Sequence, residues 1–340
     1  MPRRSLIEQL DAAVQAIVVH PDAAQPRVDA RVAPLLRIAA ELRDLPREEF
    51  KARLKADLER KSSSMTTLTE PAATQKPATV KQPAVPPGYH TVTPYLVAQD
   101  AAGLIDFVKK TFGAEEKYRG IGSAGGIHCE VRVGDSMMMI GGGGPGLSWR
   151  GTSLPGALHV YVPDCDAVYQ RALEEGAMSI DEPADQSYGE RSASVKDAAG
   201  NHWYIATFKG ESYKWEGAPD VQPCLLPLKT EPVINFLKSA FGAEELGRHA
   251  TPDGVIHHAT VKIGDSYLEL GDAHGPYQPM PSMFYLYVPD VDALYRRALA
   301  AGATSISEPA DQTYGARSGG VKDAFGHLWY MATPIKDVTR

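Results

Sequence analysis

Histidine and glutamate side chains recur within short segments whose apolar residues alternate. In the segment HCEVRV, at 128–133, every second residue is apolar, which leaves His128 on the opposite side. The same alternation puts His258, His159 and Glu269 on the side of their segments that faces away from the apolar set. One side of such a strand packs beneath helices and the other faces a cavity. Imidazole and carboxylate groups on a cavity face transfer protons, hold cations or bind metal ions.

Tyrosines occupy the same cavity-facing side of other alternating segments. The set is Tyr161, Tyr204, Tyr285, Tyr287 and Tyr330. Phenol rings stack on planar or hydrophobic ligands, and their hydroxyls offer hydrogen-bond partners. The alternative is that these large rings only fill the cavity. The sequence leaves both interpretations open.

The segments that carry these residues occur twice along the chain. FGAEE at 112–116 recurs at 241–245, and VGDS recurs as IGDS about 130 residues later. The stretch from VPD to the closing WY-x-AT, at 162–207, is matched without a gap by 288–333. Repetition over such a length indicates two copies of one structural unit.

Each copy predicts a short strand, an amphipathic helix and three more short strands, and this order then runs a second time. In the first copy, strand 91–97 precedes helix 101–112, and strand 158–162 precedes helix 164–176. Asp164 is a natural N-cap for the second of these helices. The predicted unit is therefore βαβββ, used four times in the chain.

Composition divides the chain into five regions. Residues 1–61 show the three-to-four spacing of apolar residues typical of helices and predict a small helical N-terminal segment. Residues 62–88 are rich in Ser, Thr, Ala and Pro and predict a flexible linker. The two repeat domains are expected at 89–209 and 220–340, with a short linker at 210–219 between them.

Charge and cysteine content exclude several classes of function. The formal net charge of -7 argues against nucleic acid or an anionic membrane as the partner. The three cysteines lack CxxC spacing, so neither a disulfide framework nor a cysteine zinc site is indicated. No stretch has the roughly eighteen apolar residues of a membrane span. We expect a cytoplasmic protein whose main partner is a small molecule.

The repeated motifs resemble those of the vicinal oxygen chelate (glyoxalase/bleomycin resistance/dioxygenase) superfamily, and in particular its PhnB-like branch. The resemblance covers about Tyr89–Lys209 and Val221–Val338, and its pieces are the GDS turns, the ADQ-x-YG-x-R segments and the WY-x-AT strands. It implies an α+β fold of two tandem glyoxalase-like domains, in which paired βαβββ modules with curved mixed sheets form a cup. Members include metal-dependent enzymes and metal-free proteins that sequester bleomycin, so the fold leaves the function open.

Catalytic members of this superfamily take metal ligands from the first and last strands of both modules. The matching positions are Thr93, Met139, His159 and Tyr204 in the first copy, and Gln222, Glu269, Tyr285 and Tyr330 in the second. A borderline cation needs about three nitrogen, oxygen or sulfur donors. Counted copy by copy, only His159 and Glu269 are strong donors, so no complete metal site is expected. A shifted ligand set that adds His128 or His258 is the alternative.

The resemblance makes His159 equally a candidate for ligand contact and for a structural role, whereas a structural role is preferred for His128 and His258. Glu269 is a candidate general base or an anchor for a cationic ligand. The leading hypothesis is a small-molecule binding or sequestering protein without a complete metal site.

Two other functions remain open. The first is a divalent-metal-dependent lyase, isomerase or dioxygenase that uses His159 or Glu269. The second is a ligand-responsive scaffold that docks a protein partner through residues 1–61. The sequence also leaves open whether the two copies pair within one chain or across a homodimer.

Overall fold

The fold is described by a computed structural model over residues 85–210 and 215–335. The predicted helical segment 1–61 and most of the predicted linker 62–88 lie outside these residues. Within the described ranges, no helix has the length and apolar character needed to cross a bilayer. The three cysteines of the chain are buried free thiols.

Four βαβββ modules follow one another, two in each copy. Copy 1 contains β1 (Val92–Ala98), α1 (Ala101–Phe112), β2 (Glu115–Ile121), β3 (Ile127–Val133) and β4 (Ser136–Gly142), then β5 (Ala157–Tyr161), α2 (Cys165–Glu174), β6 (Met178–Asp185), β7 (Glu190–Lys196) and β8 (His202–Phe208). Copy 2 contains β9 (Val221–Leu225), α3 (Thr230–Phe241), β10 (Glu244–Ala250), β11 (Ile256–Ile263) and β12 (Ser266–Leu270), then β13 (Met283–Tyr287), α4 (Val291–Ala300), β14 (Thr304–Asp311), β15 (Ala316–Lys322) and β16 (Leu328–Pro334). The predicted fold class is confirmed.

Local sequence signals account for the helix ends. The carboxylate of Asp164 accepts the backbone N–H of Ala167 at the start of α2, and Asp290 caps α4 in the same way. Such caps satisfy backbone donors that have no partner within the helix. At the other end of α1, Gly113 adopts a left-handed conformation with φ of 68°, which a residue without a Cβ atom reaches at little cost.

The described strands form two eight-stranded sheets that cross the boundary between the copies. Sheet 1 has the order β14-β15-β16-β13-β1-β4-β3-β2, and sheet 2 has the order β10-β11-β12-β9-β5-β8-β7-β6. Sheet 1 therefore joins the first module of the chain to the last, and sheet 2 joins the two middle modules. The joints are antiparallel pairs, β1 with β13 and β5 with β9. The two copies thus pair with each other within one chain.

The two main hydrophobic cores, in contrast, follow the copies, apart from Val92 and Val221, each of which packs in the core of the other copy. Helices α1 and α2 share one core with the strands of copy 1 around Trp203, and α3 and α4 share the other around Trp329. Each sheet has a face covered by these helices and an opposite face. We call the opposite face of sheet 1, which carries Glu130, chamber 1, and that of sheet 2, which carries Glu269, chamber 2.

The repeated GDS turns connect the two copies. The Ser266 hydroxyl oxygen accepts the backbone N–H of Val92 at 2.8 Å, and the Ser136 hydroxyl oxygen accepts that of Val221 at 3.0 Å. Each serine therefore satisfies a backbone donor at the start of the first strand of the other copy. Both N–H groups are buried, since Val92 and Val221 are each 3% exposed.

Replacing Ser266 with alanine should lower the free energy of unfolding by about 1–3 kcal/mol, because the buried N–H of Val92 loses its acceptor. Denaturant unfolding of the purified chain measures the change. Alanine at Ser123, an exposed serine in copy 1, is the control and should change the free energy by no more than about 0.5 kcal/mol. An equally small effect of Ser266→Ala would show that the turn does not hold the copies together.

Candidate functional site

Chamber 2 contains a cavity of about 830 Å³. Its walls come from both copies, with β5, β6, β7 and β8 supplied by copy 1 and β9, β10, β11 and β12 by copy 2. Residues 271–277, which follow β12, contribute further side chains to the wall. A cavity of this volume encloses a ligand of drug-like size.

A series of glutamate, histidine and glutamate side chains crosses the base of the cavity. His159 lies on β5, one of the two central strands, while Glu269 on β12 and Glu190 on β7 each lie two strands away from β5. Strands two places apart are separated by about 10 Å, a distance that two long side chains bridge. His159 Nδ1 is 2.9 Å from each carboxylate oxygen of Glu269. His159 Nε2 is 3.6 Å from Glu190 Oε2.

The charge of Glu269 is set by competition between burial and its histidine neighbours. Burial raises the pKa of this carboxyl, but the charge of His159 and the hydrogen bond to it lower the pKa by more, with a further contribution from His258. The pKa of Glu269 therefore lies below its ordinary value of 4.5. An ionised carboxylate that orients an imidazole accepts protons or anchors a cation.

Glu190 is the most buried member of the series, with 2% of its side chain exposed. Its Oε1 accepts the Tyr161 hydroxyl at 2.8 Å. Glu190 lines the cavity, and its buried Oε2 accepts no hydrogen bond from any residue that the structure describes. A buried carboxylate oxygen without a donor is unfavourable. This oxygen is therefore placed to receive a donor from a bound molecule.

Aromatic rings form the sides of the cavity. Tyr161 stacks on His159 with the ring centroids 4.5 Å apart, and Tyr204 is the register neighbour of His159 on β8. Tyr277 stacks on Tyr204 at 5.4 Å and donates its hydroxyl to Asp181. Burial raises the pKa of Tyr204 and of Tyr161, so both phenols stay neutral. These rings give a planar molecule two or more stacking partners.

The structure divides the residues predicted from the sequence between the two chambers. Chamber 2 receives His159, Tyr161, Tyr204, His258 and Glu269. The strands that carry His128, Tyr285, Tyr287 and Tyr330 belong to sheet 1, whose open face is chamber 1. His258 joins the polar series, because its Nε2 is 4.0 Å from Glu269 Oε2.

The copy-by-copy count of metal donors is wrong. It placed His159 and Glu269 in different cups, whereas the two side chains are hydrogen-bonded to each other. The reason is that sheet 2 takes one module from each copy. The strongest donors of both copies consequently meet in chamber 2.

Sequence reasoning missed Glu190, Asp181 and Tyr277. A signal for two of them was present in the differences between the copies. Asp181, Glu190, His159 and Glu269 stand where the other copy has Ser307, Ala316, Tyr285 and Met139. Residues that differ between two copies of one fold are not explained by the fold that the copies share. Tyr277 lies in a connecting segment whose path the strand pattern does not predict.

Comparisons with known proteins agree with this fold. A sequence profile of the Glyoxalase/Bleomycin resistance protein/Dioxygenase superfamily matches residues 229–331. An uncharacterized protein of Mycobacterium tuberculosis is 34% identical over 141 residues, which is 38% of this chain and 83% of that protein. A second, from Mycobacterium bovis, is 36% identical over 131 residues, or 35% of this chain and 86% of that protein. The chain belongs to the glyoxalase/bleomycin resistance protein/dioxygenase superfamily.

Solved structures extend the likeness to both copies. Glyoxalase I from Zea mays superimposes with a TM-score of 0.55 at 14% identity, over 71% of this chain and 92% of that chain. A point mutant of the same maize enzyme gives a TM-score of 0.54 at 13% identity, over 71% of this chain and 92% of that one. At such low identity the likeness shows the fold alone.

The donors in chamber 2 do not fit the divalent metal that the superfamily implies. Both ring nitrogens of His159 face carboxylates, and the Gln222 amide nitrogen points to the carbonyl oxygen of Pro219 at 3.4 Å. The fourth family position is Tyr204, whose neutral phenol is a poor ligand. Over the described ranges, no three His, Cys, Asp or Glu side chains are arranged to hold a metal ion.

Glu269→Gln should reduce the free energy of unfolding by about 1–3 kcal/mol at pH 7, because a charge-assisted hydrogen bond to His159 is replaced by a neutral one. A carboxyl whose folded pKa is lowered stabilises the protein above its ordinary pKa, and this stabilisation is lost as the pH falls. The difference between wild type and variant should therefore shrink as the pH falls from 7 through 4.5 towards 3.

Denaturant unfolding at a series of pH values measures this difference. Met139→Leu changes the position in chamber 1 that corresponds to Glu269, and its difference from wild type should be the same at every pH. A Glu269→Gln difference that stays constant or grows as the pH falls would mean that the carboxyl is not held in its ionised form.

Proposed function

We propose that this chain is a binding or sequestering protein for a small organic cation with a planar aromatic group, and that it binds this ligand in chamber 2 without a metal ion. The observation that carries the proposal concerns Glu190, which lines an aromatic cavity and has a buried Oε2 that accepts no hydrogen bond from a described residue. An ammonium or guanidinium group supplies the missing donor together with a compensating charge.

The charge of the cavity supports a cationic ligand. Its described lining contains the carboxylates Asp181, Glu182, Glu190, Glu269 and Asp272 and neither lysine nor arginine. The same lining contains five histidines, among them His159 and His258, and with neutral imidazoles the charge of the lining is negative. A cavity lined by one sign of charge raises the local concentration of ligands of the opposite sign.

The tyrosines support the aromatic part of the ligand. Tyr161, Tyr204 and Tyr277 present rings to one cavity, and the face of a tyrosine ring also attracts a cation. His159 and His258 complete the proposed contacts. We include membership of the PhnB-like branch in this proposal, because the repeated motifs support it, and a cytoplasmic location, because three free cysteines suit a reducing compartment.

A metal-dependent lyase, isomerase or dioxygenase is the alternative that this site disfavours, since the donor set does not fit a divalent ion. The scaffold hypothesis depends on residues 1–61, which lie outside the described residues, and it stays a prediction.

Tryptamine and indole-3-ethanol have the same indole ring and ethyl chain, but the chain ends in an amine in tryptamine and in a hydroxyl in indole-3-ethanol. We expect tryptamine to bind at least about tenfold more tightly, because its ammonium forms charge-assisted hydrogen bonds with the carboxylates. Isothermal titration at one ionic strength measures both affinities. Glu190→Gln and Glu269→Gln should each remove most of this preference, whereas Met139→Leu, at the matching position of chamber 1, should retain it.

The same titration tests the role of metal. Protein treated with a chelator and shown by elemental analysis to be free of transition metals should bind tryptamine as tightly as untreated protein. Loss of binding that returns with a divalent metal would favour the metal-dependent alternative. Equal affinities for the two indoles, unchanged by Glu190→Gln, would contradict the cationic ligand.

A further inference from the structure

The two chambers differ at the segment that leads into the first strand of each copy. Before β1, the backbone N–H of Tyr89 donates to the Pro86 carbonyl oxygen at 3.1 Å, and Gly88 has a φ of 83°. Before β9, the N–H of Ala218 donates to the Trp215 carbonyl oxygen at 2.9 Å around another glycine of positive φ. The same turn therefore places a tyrosine beside one chamber and an alanine beside the other.

The tyrosine reaches a buried carboxylate. The Tyr89 hydroxyl donates to Glu130 Oε2 at 2.5 Å, and its ring packs edge-on against Tyr287 with the centroids 5.1 Å apart. Glu130 is only 3% exposed. At the position of Glu130, copy 2 has Thr260. The phenol and the carboxylate are thus present together in copy 1 and absent together from copy 2.

His128 contacts the other carboxylate oxygen of Glu130, and Tyr95 in turn contacts His128. His128 Nε2 is 3.3 Å from Glu130 Oε1, and His128 Nδ1 is 2.8 Å from the Tyr95 hydroxyl oxygen. A carboxylate held in place before a donor arrives loses little conformational freedom on binding it. Chamber 1 therefore contains the parts of a phenol-binding site, with an acceptor for the hydroxyl and Tyr287 against the ring.

We propose that chamber 1 is a second ligand site, specific for para-substituted phenols, and that the chain's own Tyr89 occupies it. Because Tyr89 is part of the chain, a free phenol must compete with an effective concentration in the millimolar range. Chamber 1 stays closed to dilute ligands for this reason. Removal or displacement of the Tyr89 side chain opens it. This inference is independent of the function proposed for chamber 2.

Tyr89→Ala tests the proposal, since the same turn in copy 2 already carries an alanine. The probes are p-cresol and toluene, which share a ring and differ in the hydroxyl. Methionine methyl groups labelled with carbon-13 report binding in chamber 1, because Met139 lies opposite Glu130 on β4. An assignment variant, Met139→Leu, identifies that signal.

We expect p-cresol to shift the Met139 signal of Tyr89→Ala with an affinity at least about tenfold higher than in wild type and at least about tenfold higher than that of toluene. The double variant Tyr89→Ala/Glu130→Thr, which copies chamber 2, should lose the preference for p-cresol. Tyr314→Ala, which removes a tyrosine that is 46% exposed, should behave as wild type.

Three results would overturn the proposal. They are a folded Tyr89→Ala that does not bind p-cresol, equal binding of toluene, and an unchanged preference in the double variant. If Tyr89→Ala does not fold alone, p-cresol should restore its thermal unfolding transition and toluene should not. Failure of p-cresol to do so would equally count against the site.

Discussion

The antiparallel pairing of β5 with β9 joins the two copies into one sheet, and the candidate site depends on this joint. Across it, His159 lies opposite Gln222 and Val160 lies opposite Val221. Side chains of both copies therefore share one surface. A group of residues that takes His159 and Glu190 from copy 1 and Glu269 from copy 2 cannot be assembled by either copy alone.

Each sheet contains the first module of one copy and the second module of the other, so every position in one chamber has an equivalent in the other. A residue at such a position can change without altering the fold. The helix-facing side chains are held by packing, so the cores around Trp203 and Trp329 stay alike. The opposite faces are free to differ. In chamber 2, charged side chains such as Glu190 and Glu269 line a cavity, whereas chamber 1 has Met139 at the position equivalent to Glu269.

The parts of the fold that local patterns determine were predictable from the sequence. Alternation correctly placed Glu269 on the side of its strand that faces away from the apolar residues, because a strand has only two sides; its neighbours Leu268 and Leu270 are buried in the core. The contact between Glu269 and His159 was not predictable. The contact depends on which modules pair with each other. Because the two copies are similar, the strand pattern does not show whether a module pairs within its own copy or with the other copy. Glu190 was missed because the motif around it is otherwise the same in both copies. The difference between Glu190 in copy 1 and Ala316 in copy 2 was the signal that could have identified it.

The joint between the copies also determines what closes each chamber. The carboxylate of Asp265 accepts the backbone N–H of Thr91 at 2.7 Å, two residues after Tyr89, and Asp135 accepts that of Asp220 at 2.8 Å in the other copy. The segment before each first strand is thus held by the GDS turn of the opposite copy. Since both segments follow the same path, the side chain at one position of that path, Tyr89 or Ala218, can differ while the backbone contacts between the copies stay the same.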